Sequence, residues 1–245
     1  MRILVFQHLA VEHPGTFREF WKASGHDWFV VELDEGGRIP SLDEFDWLVV
    51  MGGPMDVWQE DVHPWLIAEK AAIRRWVHDL ARPYLGICLG HQLLAEALGG
   101  KVAPMRAPEV GLADVDLTAE GKADPLFKGF PGGMQTFQWH GAEISALPKG
   151  AVVLARNAAC ATQAFRWGKH AYGLQYHVEI TPVTVRDWEA VPAYKASLEQ
   201  ALGSEEAARL NGVVAPKLDA LGATARGIYD NFSAVVAGHS ASKVA

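Results

Sequence analysis

The sequence predicts a three-layer α/β fold. A mostly parallel central sheet is flanked by helices in the flavodoxin-like or Rossmann-like manner, with added antiparallel strands and C-terminal helices. Three observations carry this expectation. Up to Gly100, short apolar runs alternate with helix-compatible runs across brief links, the pattern of a parallel sheet covered by helices. Beyond Gly100, strand-like runs follow one another closely, as in antiparallel hairpins. From Pro182 onward the pattern is helical.

Composition narrows the field before any motif is read. At 245 residues the chain can bury one large domain, or a domain with an appendage. A net charge of −7 leaves no basic face for nucleic acid. No apolar run approaches the length of a membrane span, and Met1-Arg2-Ile3-Leu4 enters a strand without a signal or transit pattern. Two cysteines, Cys88 and Cys160, make no disulfide framework, so a cytoplasmic location is expected.

Taken in order, residues 2–7 form a buried-strand run, and 15–24 carry helix-compatible spacing through Phe17, Phe20 and Trp21. Residues 28–33 and 45–50 are the second and third strands. The third runs into Met51-Gly52-Gly53-Pro54-Met55, a turn at the carboxyl end of a parallel strand, where open α/β sheets bind ligands. Pro64 opens a long helix whose apolar stripe is Leu66, Ile73, Trp76, Val77 and Leu80, with Glu69, Arg74 and Arg75 expected off it. Residues 84–87 are a strand and 92–98 a helix, stopped by Gly99-Gly100. Further strands are expected at 101–104, 109–118, 134–138, 151–155, 161–167 and 171–175, with a helical turn at 124–127 and a hairpin turn at Gly168-Lys169-His170. The helical region is broken at Pro192, Gly203-Ser204 and 212–216, and the small, polar stretch after Gly238 is expected to fray. These limits suggest a unit over 1–190 and a C-terminal helical extension, 191–245, packed on the same domain.

Between the fourth strand and its helix lies Gly86-Ile87-Cys88-Leu89-Gly90. A nucleophile flanked two residues away on each side by glycine is the strand-to-helix elbow, written with cysteine. A Cβ at either flank would collide with the neighbouring strand or helix, and the nucleophile is left at a strained tip. Its place at a helix N-terminus favours thiolate. For an isolated cysteine, burial in the core is the commoner fate; the spacing and flanking elements argue for the elbow.

A thiol needs a base, and the base an orienting group. Gly173-Leu174-Gln175-Tyr176-His177-Val178-Glu179 brings a strand to His-x-Glu, where the carboxylate can hold the imidazole tautomer. The order nucleophile, His, acid differs from the α/β-hydrolase order and argues against that class. His8, His13, His26, His63 and His78 form no metal-ligand pattern, and neither His-Glu-x-x-His nor Cys-x-x-Cys occurs, so no metal or other cofactor is expected. His91 could line the pocket or face solvent. His140 suits a binding loop better than a base. Trp188 or Arg186, shortly after Glu179, could brace it, with a core role the default for Trp188.

Elbow, Gly-Gly-Pro and His-x-Glu in this order resemble the class I, triad-type glutamine amidotransferases, and in particular stand-alone members similar to the amidotransferase domain of GMP synthetase. The resemblance rests on Gly86–Gln92, on Gly52–Met55 with Trp65 and the long helix, and on Gln175–Pro182, and covers 1–188. This sequence has Val178 where the family usually has Pro. The resemblance implies hydrolysis of the glutamine side-chain amide: Cys88 forms a γ-glutamyl thioester, His177 moves the protons and Glu179 orients His177. It further implies an oxyanion hole from the N–H groups of Gly53 and Leu89, each donor worth about 2.7–4 kcal/mol in such sites. Gln92, with the backbone of a loop at Trp139, Gly141 and Ala142, would hold the substrate.

The expected partners are glutamine or another γ-glutamyl small molecule and a separate ammonia-accepting synthase, since no Walker-type loop occurs here. The C-terminal helices leave a homo-oligomer open. A γ-glutamyl peptide or amide hydrolase would use the same triad, with Met55, Trp58, Trp139 and residues 106–110 as candidates for the leaving-group side. A non-catalytic regulatory protein of the same fold is disfavoured by the intact Cys88, His177 and Glu179.

Overall fold

The computed structural model describes residues 1–244, with side chains described through Ser240. Its strands are β1 (Arg2–Gln7), β2 (Asp27–Glu32), β3 (Trp47–Val50), β4 (Tyr84–Ile87), β5 (Lys101–Leu117), β6 (Gly133–Ala146), β7 (Ala151–Arg156), β8 (Ala164–Trp167) and β9 (Ala171–Leu174). They form one sheet in the order β2-β1-β3-β4-β9-β8-β7-β5-β6. From β2 to β9 every pairing is parallel; from β9 through β8, β7 and β5 to β6 every pairing is antiparallel. The helices are α1 (Phe17–Ala23), α2 (Trp65–Arg74), α3 (Leu89–Ala97), α4 (Ala119–Ala123), α5 (Thr184–Glu189), α6 (Pro192–Ala207), α7 (Leu210–Val214) and α8 (Leu218–Val244).

Alternation along the parallel strands builds the layers. Ile3, Val5, Trp47, Val49, Leu85 and Ile87 face one side, packed with α1 and with Ala225, Ile228, Tyr229, Phe232 and Val236 of α8. Leu4, Phe6, Leu48, Val50 and Tyr84 face the other, under α2 and α3. Strands buried on both faces read as continuous apolar runs, which is why they are plain in the sequence. A third cluster joins Phe137 and Trp139 of β6 to Trp188, Tyr194, Leu198, Leu210 and Leu221 of the C-terminal helices.

Several boundaries move. The two strands expected at 101–104 and 109–118 are one bent strand, whose register against β6 shifts between Pro104 and Glu109. Pro104 and Pro108 remove ladder donors, so the strand bulges there without ending. The loop expected at Trp139, Gly141 and Ala142 is strand: β6 continues to Ala146 because β5 runs opposite, with His140 across from Glu109 and Ala142 across from Pro104. Helix α3 begins at Leu89, directly after the cysteine. The helix after Pro64 ends in a π-helical turn, Arg75–Asp79. In place of the expected frayed tail, α8 continues through Gly238 to Val244; Ala245 lies outside the described residues. Among the described residues no helix is long and apolar enough to cross a membrane.

The parallel strands end at one edge of the sheet. The segments leaving β1, β3, β4 and β9 there carry residues 8–16, 51–56, Cys88 and 175–179.

Candidate active site

Cys88 caps α3 at φ 50° and ψ −102°, a left-handed conformation that a side chain rarely adopts. Its flanks show why they are glycine. A Cβ at Gly86 would lie 2.4 Å from the Gly90 carbonyl oxygen, and one at Gly90 would lie 2.2 Å from that of Val50. The elbow is tied down on both sides: Cys88 N–H donates to Leu174 O at 2.8 Å, and Gly90 N–H to Met51 O at 3.1 Å. The thiol stands at the positive end of α3, 7% exposed.

β9 ends at Leu174, and His177 is held one step further by its N–H donating to Phe137 O at 2.8 Å. Its Nδ1 lies 2.7 Å from Glu179 Oε1, both side chains buried, which leaves Nε2 for the thiol. Burial alone would lower the His177 pKa; the Glu179 carboxylate and the Cys88 thiol beside it reverse this and hold it well above the ordinary value. Val178 does not cost Glu179 its place. Thr16 N–H donates to Glu179 O at 2.8 Å, and Gly15, at φ 49°, approaches so closely that a Cβ would lie 1.8 Å from that oxygen. Of the two candidate braces, Trp188 meets the His177 ring edge-on at 4.6 Å and is also core. Arg186 is exposed and pairs with Asp187.

Cys88, Gly53, Leu89, Gln92, Trp139, Gly141 and Ala142 line one cavity of about 160 Å³. Leu89 is the first residue of α3, where a helix leaves its N–H without an internal partner. Gly53 packs against Leu89, since a Cβ there would lie 3.0 Å from Leu89 Cδ2. Gln92 Nε2 donates to Ala142 O at 3.2 Å and to Gln175 Oε1 at 3.1 Å. The Trp139 carbonyl lies 3.8 Å from Cys88 Sγ, and its indole donates to Ser197 Oγ at 3.0 Å. Helix α6 closes one wall with Ala193, Tyr194 and Ser197. Met55 is in the lining; Trp58 and 106–110 are not. His140 is also in the lining, with Nε2 3.1 Å from Glu109 Oε2 and Nδ1 donating to Ala142 O at 3.0 Å, so both ring nitrogens are engaged. His91 neither faces solvent nor lines the cavity: it is packed under Gly173 and Phe165, and burial pushes its pKa down to about 3.

Three buried neighbours of the site lie outside the motifs. Glu12 is buried, accepts a hydrogen bond from the Tyr194 hydroxyl, and sits with His177 and Glu179 in a group whose polar atoms lie within 4.8 Å. Burial, with Glu179 nearby, pushes its pKa up to about 7, against the opposing pull of His177, Tyr194 and His8. This trio is the group among the described residues that could hold a cation; Glu179 is engaged with His177 Nδ1 and Glu12 with Tyr194. His8 and Glu69 are both fully buried and paired at 2.9 Å. Glu69 was expected off the apolar stripe and is on it. Three residues after Leu66 and four before Ile73, it shares their face, and a carboxylate on an apolar stripe is itself a signal. Glu12 sits in a loop with no pattern to mark it.

The class follows from fold and site together: an open α/β sheet bearing a cysteine elbow, with an imidazole–carboxylate pair at its carboxyl edge. The chain belongs to the class-I glutamine amidotransferase family, whose model matches residues 22–187. It is 32% identical over 192 residues to a glutamine amidotransferase-like protein, YfeJ, of Salmonella typhimurium, covering 74% of this chain and 77% of that protein. It is 34% identical over 143 residues to one of the subunits of the glutamine-hydrolysing GMP synthase of Saccharolobus solfataricus, covering 58% of this chain and 71% of that protein. The chain spans only 23% and 20% of two longer GMP synthases that it also matches. A crystal structure of a glutamine amidotransferase from Thermotoga maritima superposes with a TM-score of 0.82 at 28% identity, covering 95% of this chain and 97% of that one.

Proposed function

We propose that this chain hydrolyses the side-chain amide of glutamine to glutamate and ammonia. The observation that carries the reading is Cys88 on a strained elbow beside His177, whose Nδ1 is held 2.7 Å from Glu179, in a cavity shared with Gly53 and Leu89. The Cys88 thiolate attacks the amide carbon, and the carbonyl electrons move onto oxygen, where the N–H groups of Gly53 and Leu89 stabilise the charge. The protonated His177 gives its Nε2 proton to the departing ammonia, leaving a γ-glutamyl thioester. Water enters, His177 takes its proton, and collapse of the second tetrahedral intermediate returns Cys88 and releases glutamate. Glu179 keeps Nε2 aimed at the thiol throughout.

The cavity holds about 160 Å³ and opens to solvent. Gln92 and the β6 backbone at Trp139, Gly141 and Ala142 form its wall, and we assign them to holding the glutamine backbone. We read 1–190 as the catalytic unit and 191–245 as a helical extension packed on it that contributes Tyr194 and Ser197 to the cavity. The ammonia is destined for a separate synthase, by analogy with the Saccharolobus solfataricus relative, which is named as one of several parts of a GMP synthase. Both cysteines are free, and burial pushes the Cys160 thiol up to about 12, which keeps it inert in a reducing cytoplasm. The deciding experiment is steady-state ammonia release from glutamine, with γ-glutamyl peptides in parallel and Cys88→Ala as control. Activity on glutamine that Cys88→Ala abolishes is expected; a strong preference for the peptides would overturn the reading.

A further inference from the structure

We propose that His8 and Glu69 are a buried positioning pair that fixes the plane of the Gly52–Gly53 peptide, aiming the Gly53 N–H into the cavity before substrate arrives. The inference rests on the reading of Gly53 as an oxyanion donor. His8 Nδ1 donates to the Gly52 carbonyl at 2.8 Å, and Nε2 meets Glu69 Oε1 at 2.9 Å. Both side chains are fully buried, and Trp65 stacks on the imidazole at 5.4 Å and 14°. No cis peptide occurs among the described residues. In a trans peptide the N–H points opposite to the C=O. Holding the Gly52 oxygen toward His8 therefore turns the Gly53 N–H the other way, and Gly53 lines the cavity with Cys88.

The sequence makes such a restraint necessary. A peptide between two glycines is among the easiest to rotate. Yet Gly52 cannot be replaced to stiffen it, because a Cβ there would lie 2.5 Å from Glu12 Oε2 and 3.1 Å from His177 Cε1. Gly53 is as crowded, with a Cβ falling 2.5 Å from Met55 Sδ. The hydrogen bond from His8 supplies the stiffness that side chains at these positions would otherwise give.

The pair also needs one proton more than a neutral imidazole beside a carboxylate. A carbonyl only accepts, so Nδ1 carries a hydrogen. Nε2 then either donates to the Glu69 carboxylate or accepts from its acid form. The groups facing this proton are Glu69 from α2, Glu12 from the segment after β1, and the Tyr84 phenol of β4 beyond Glu69. Burial opposes charge on His8; Glu69, the Gly52 carbonyl and Glu12 override it, and the His8 pKa stands above its ordinary value. The peptide is thus held below that pKa and released as pH rises through it.

The test uses the full chain with His8→Leu, His8→Asn, Glu69→Leu and Glu69→Gln. An oxyanion donor acts in the transition state, so His8→Leu and Glu69→Leu should lower kcat on the order of 10²-fold while KM for glutamine moves less than about twofold. Affinity for glutamate γ-semialdehyde, whose carbonyl becomes an oxyanion on Cys88, should fall in parallel, and affinity for glutamate should not. A crystal structure of His8→Leu should show the Gly52–Gly53 peptide rotated. Glu69→Gln should recover most of kcat, because its amide can donate to Nε2 of a neutral His8 and leave Nδ1–H on Gly52. His8→Asn keeps a donor near the Nδ1 position, so it should also recover activity if His8→Leu folds poorly. Wild-type kcat in His8→Leu, an unmoved peptide in its crystal structure, or Glu69→Gln as slow as Glu69→Leu would overturn the proposal. A wild-type chain that releases no ammonia would instead overturn the glutaminase reading, and the peptide orientation in His8→Leu would still decide the positioning role.

Discussion

Replacing Glu12 by Gln should make the protein more stable at alkaline pH and not at acid pH. Glu12 is 1% exposed, shares its site with the Glu179 carboxylate, and has its pKa raised from 4.5 to about 7, chiefly by burial. The sign follows from proton counting. Between those two values the folded state binds a proton that the unfolded state does not, so the contribution is full below pH 4.5 and is lost as pH rises through about 7. The span corresponds to about 3 kcal/mol. Gln resembles the protonated acid and keeps an acceptor for the Tyr194 hydroxyl, so it removes the cost of ionisation without leaving a cavity. His177 and His8, which face Glu12, lose some support in the variant, so the net gain should be about 2–3 kcal/mol.

The assay is equilibrium urea unfolding of wild type and Glu12→Gln at pH 5, 7 and 8.5. Nearly equal stability at pH 5 should open into that gap at pH 8.5, since carboxylates elsewhere titrate alike in both proteins. A gap that does not change with pH, or a variant weaker at pH 8.5, would refute the reasoning. The variant should also lose about tenfold in kcat/KM, roughly 1.4 kcal/mol, because the ionised carboxylate faces the imidazolium of His177. Stability gained where activity is lost would mark Glu12 as a group kept for function.

Other consequences can be read with simpler measurements. Cys88→Gly should be about 1 kcal/mol more stable than Cys88→Ala in chemical denaturation, the reverse of the usual order, because φ 50° strains any side chain; both should be inactive. Gly86→Ala should lose about 3 kcal/mol, a fall in Tm of about 10 °C, as its Cβ meets the Gly90 carbonyl at 2.4 Å. Glu179→Gln should lower kcat on the order of 10²–10⁴-fold, by removing the anion that holds His177 protonated and oriented, with little change in the far-UV CD spectrum. Phe232→Ala should cost about 3–5 kcal/mol, since the ring is 1% exposed and stacks on Trp47 at 5.2 Å, while KM for glutamine stays at its wild-type value.

The parallel strands, the elbow and the His-x-Glu were legible because each is written locally. A strand buried on both faces is an unbroken apolar run, and the clashes that force Gly86 and Gly90 come from atoms within a few residues or on the adjoining strand. What stayed hidden depends on distant pairing. Residues 139–142 are strand because β5 lies opposite, not because of their own composition. Glu69 falls on the apolar stripe of its helix, but its partner His8, sixty-one residues earlier, is not written locally. Glu12 joins the site because the segment after β1 meets His177 and Glu179 at the sheet edge, and α6 brings Tyr194 back over it, 182 residues later in the chain.

Several supports of the site lie outside the stretch that the family model matches. His8, Glu12 and Gly15 precede residue 22, where the match begins; Trp188, Tyr194 and Ser197 follow residue 187, where it ends. Within the matched stretch lie Cys88, His177, Glu179, Gly53 and Leu89, the groups to which we assign the chemistry. The flanks act on those groups one by one. His8 holds the Gly52 carbonyl, Gly15 and Thr16 hold the Glu179 backbone, and Trp188 packs on the His177 ring. Trp188 also donates to Val11 O at 3.1 Å and Tyr194 donates to Glu12, so the leading and trailing flanks are bonded to each other around the imidazole. A reaction centre with supports drawn from both ends of the chain can keep its mechanism while its pH response, stability and cavity shape change. Substitutions at residues 8–16 and 188–197 should therefore change those properties while the triad itself stays intact.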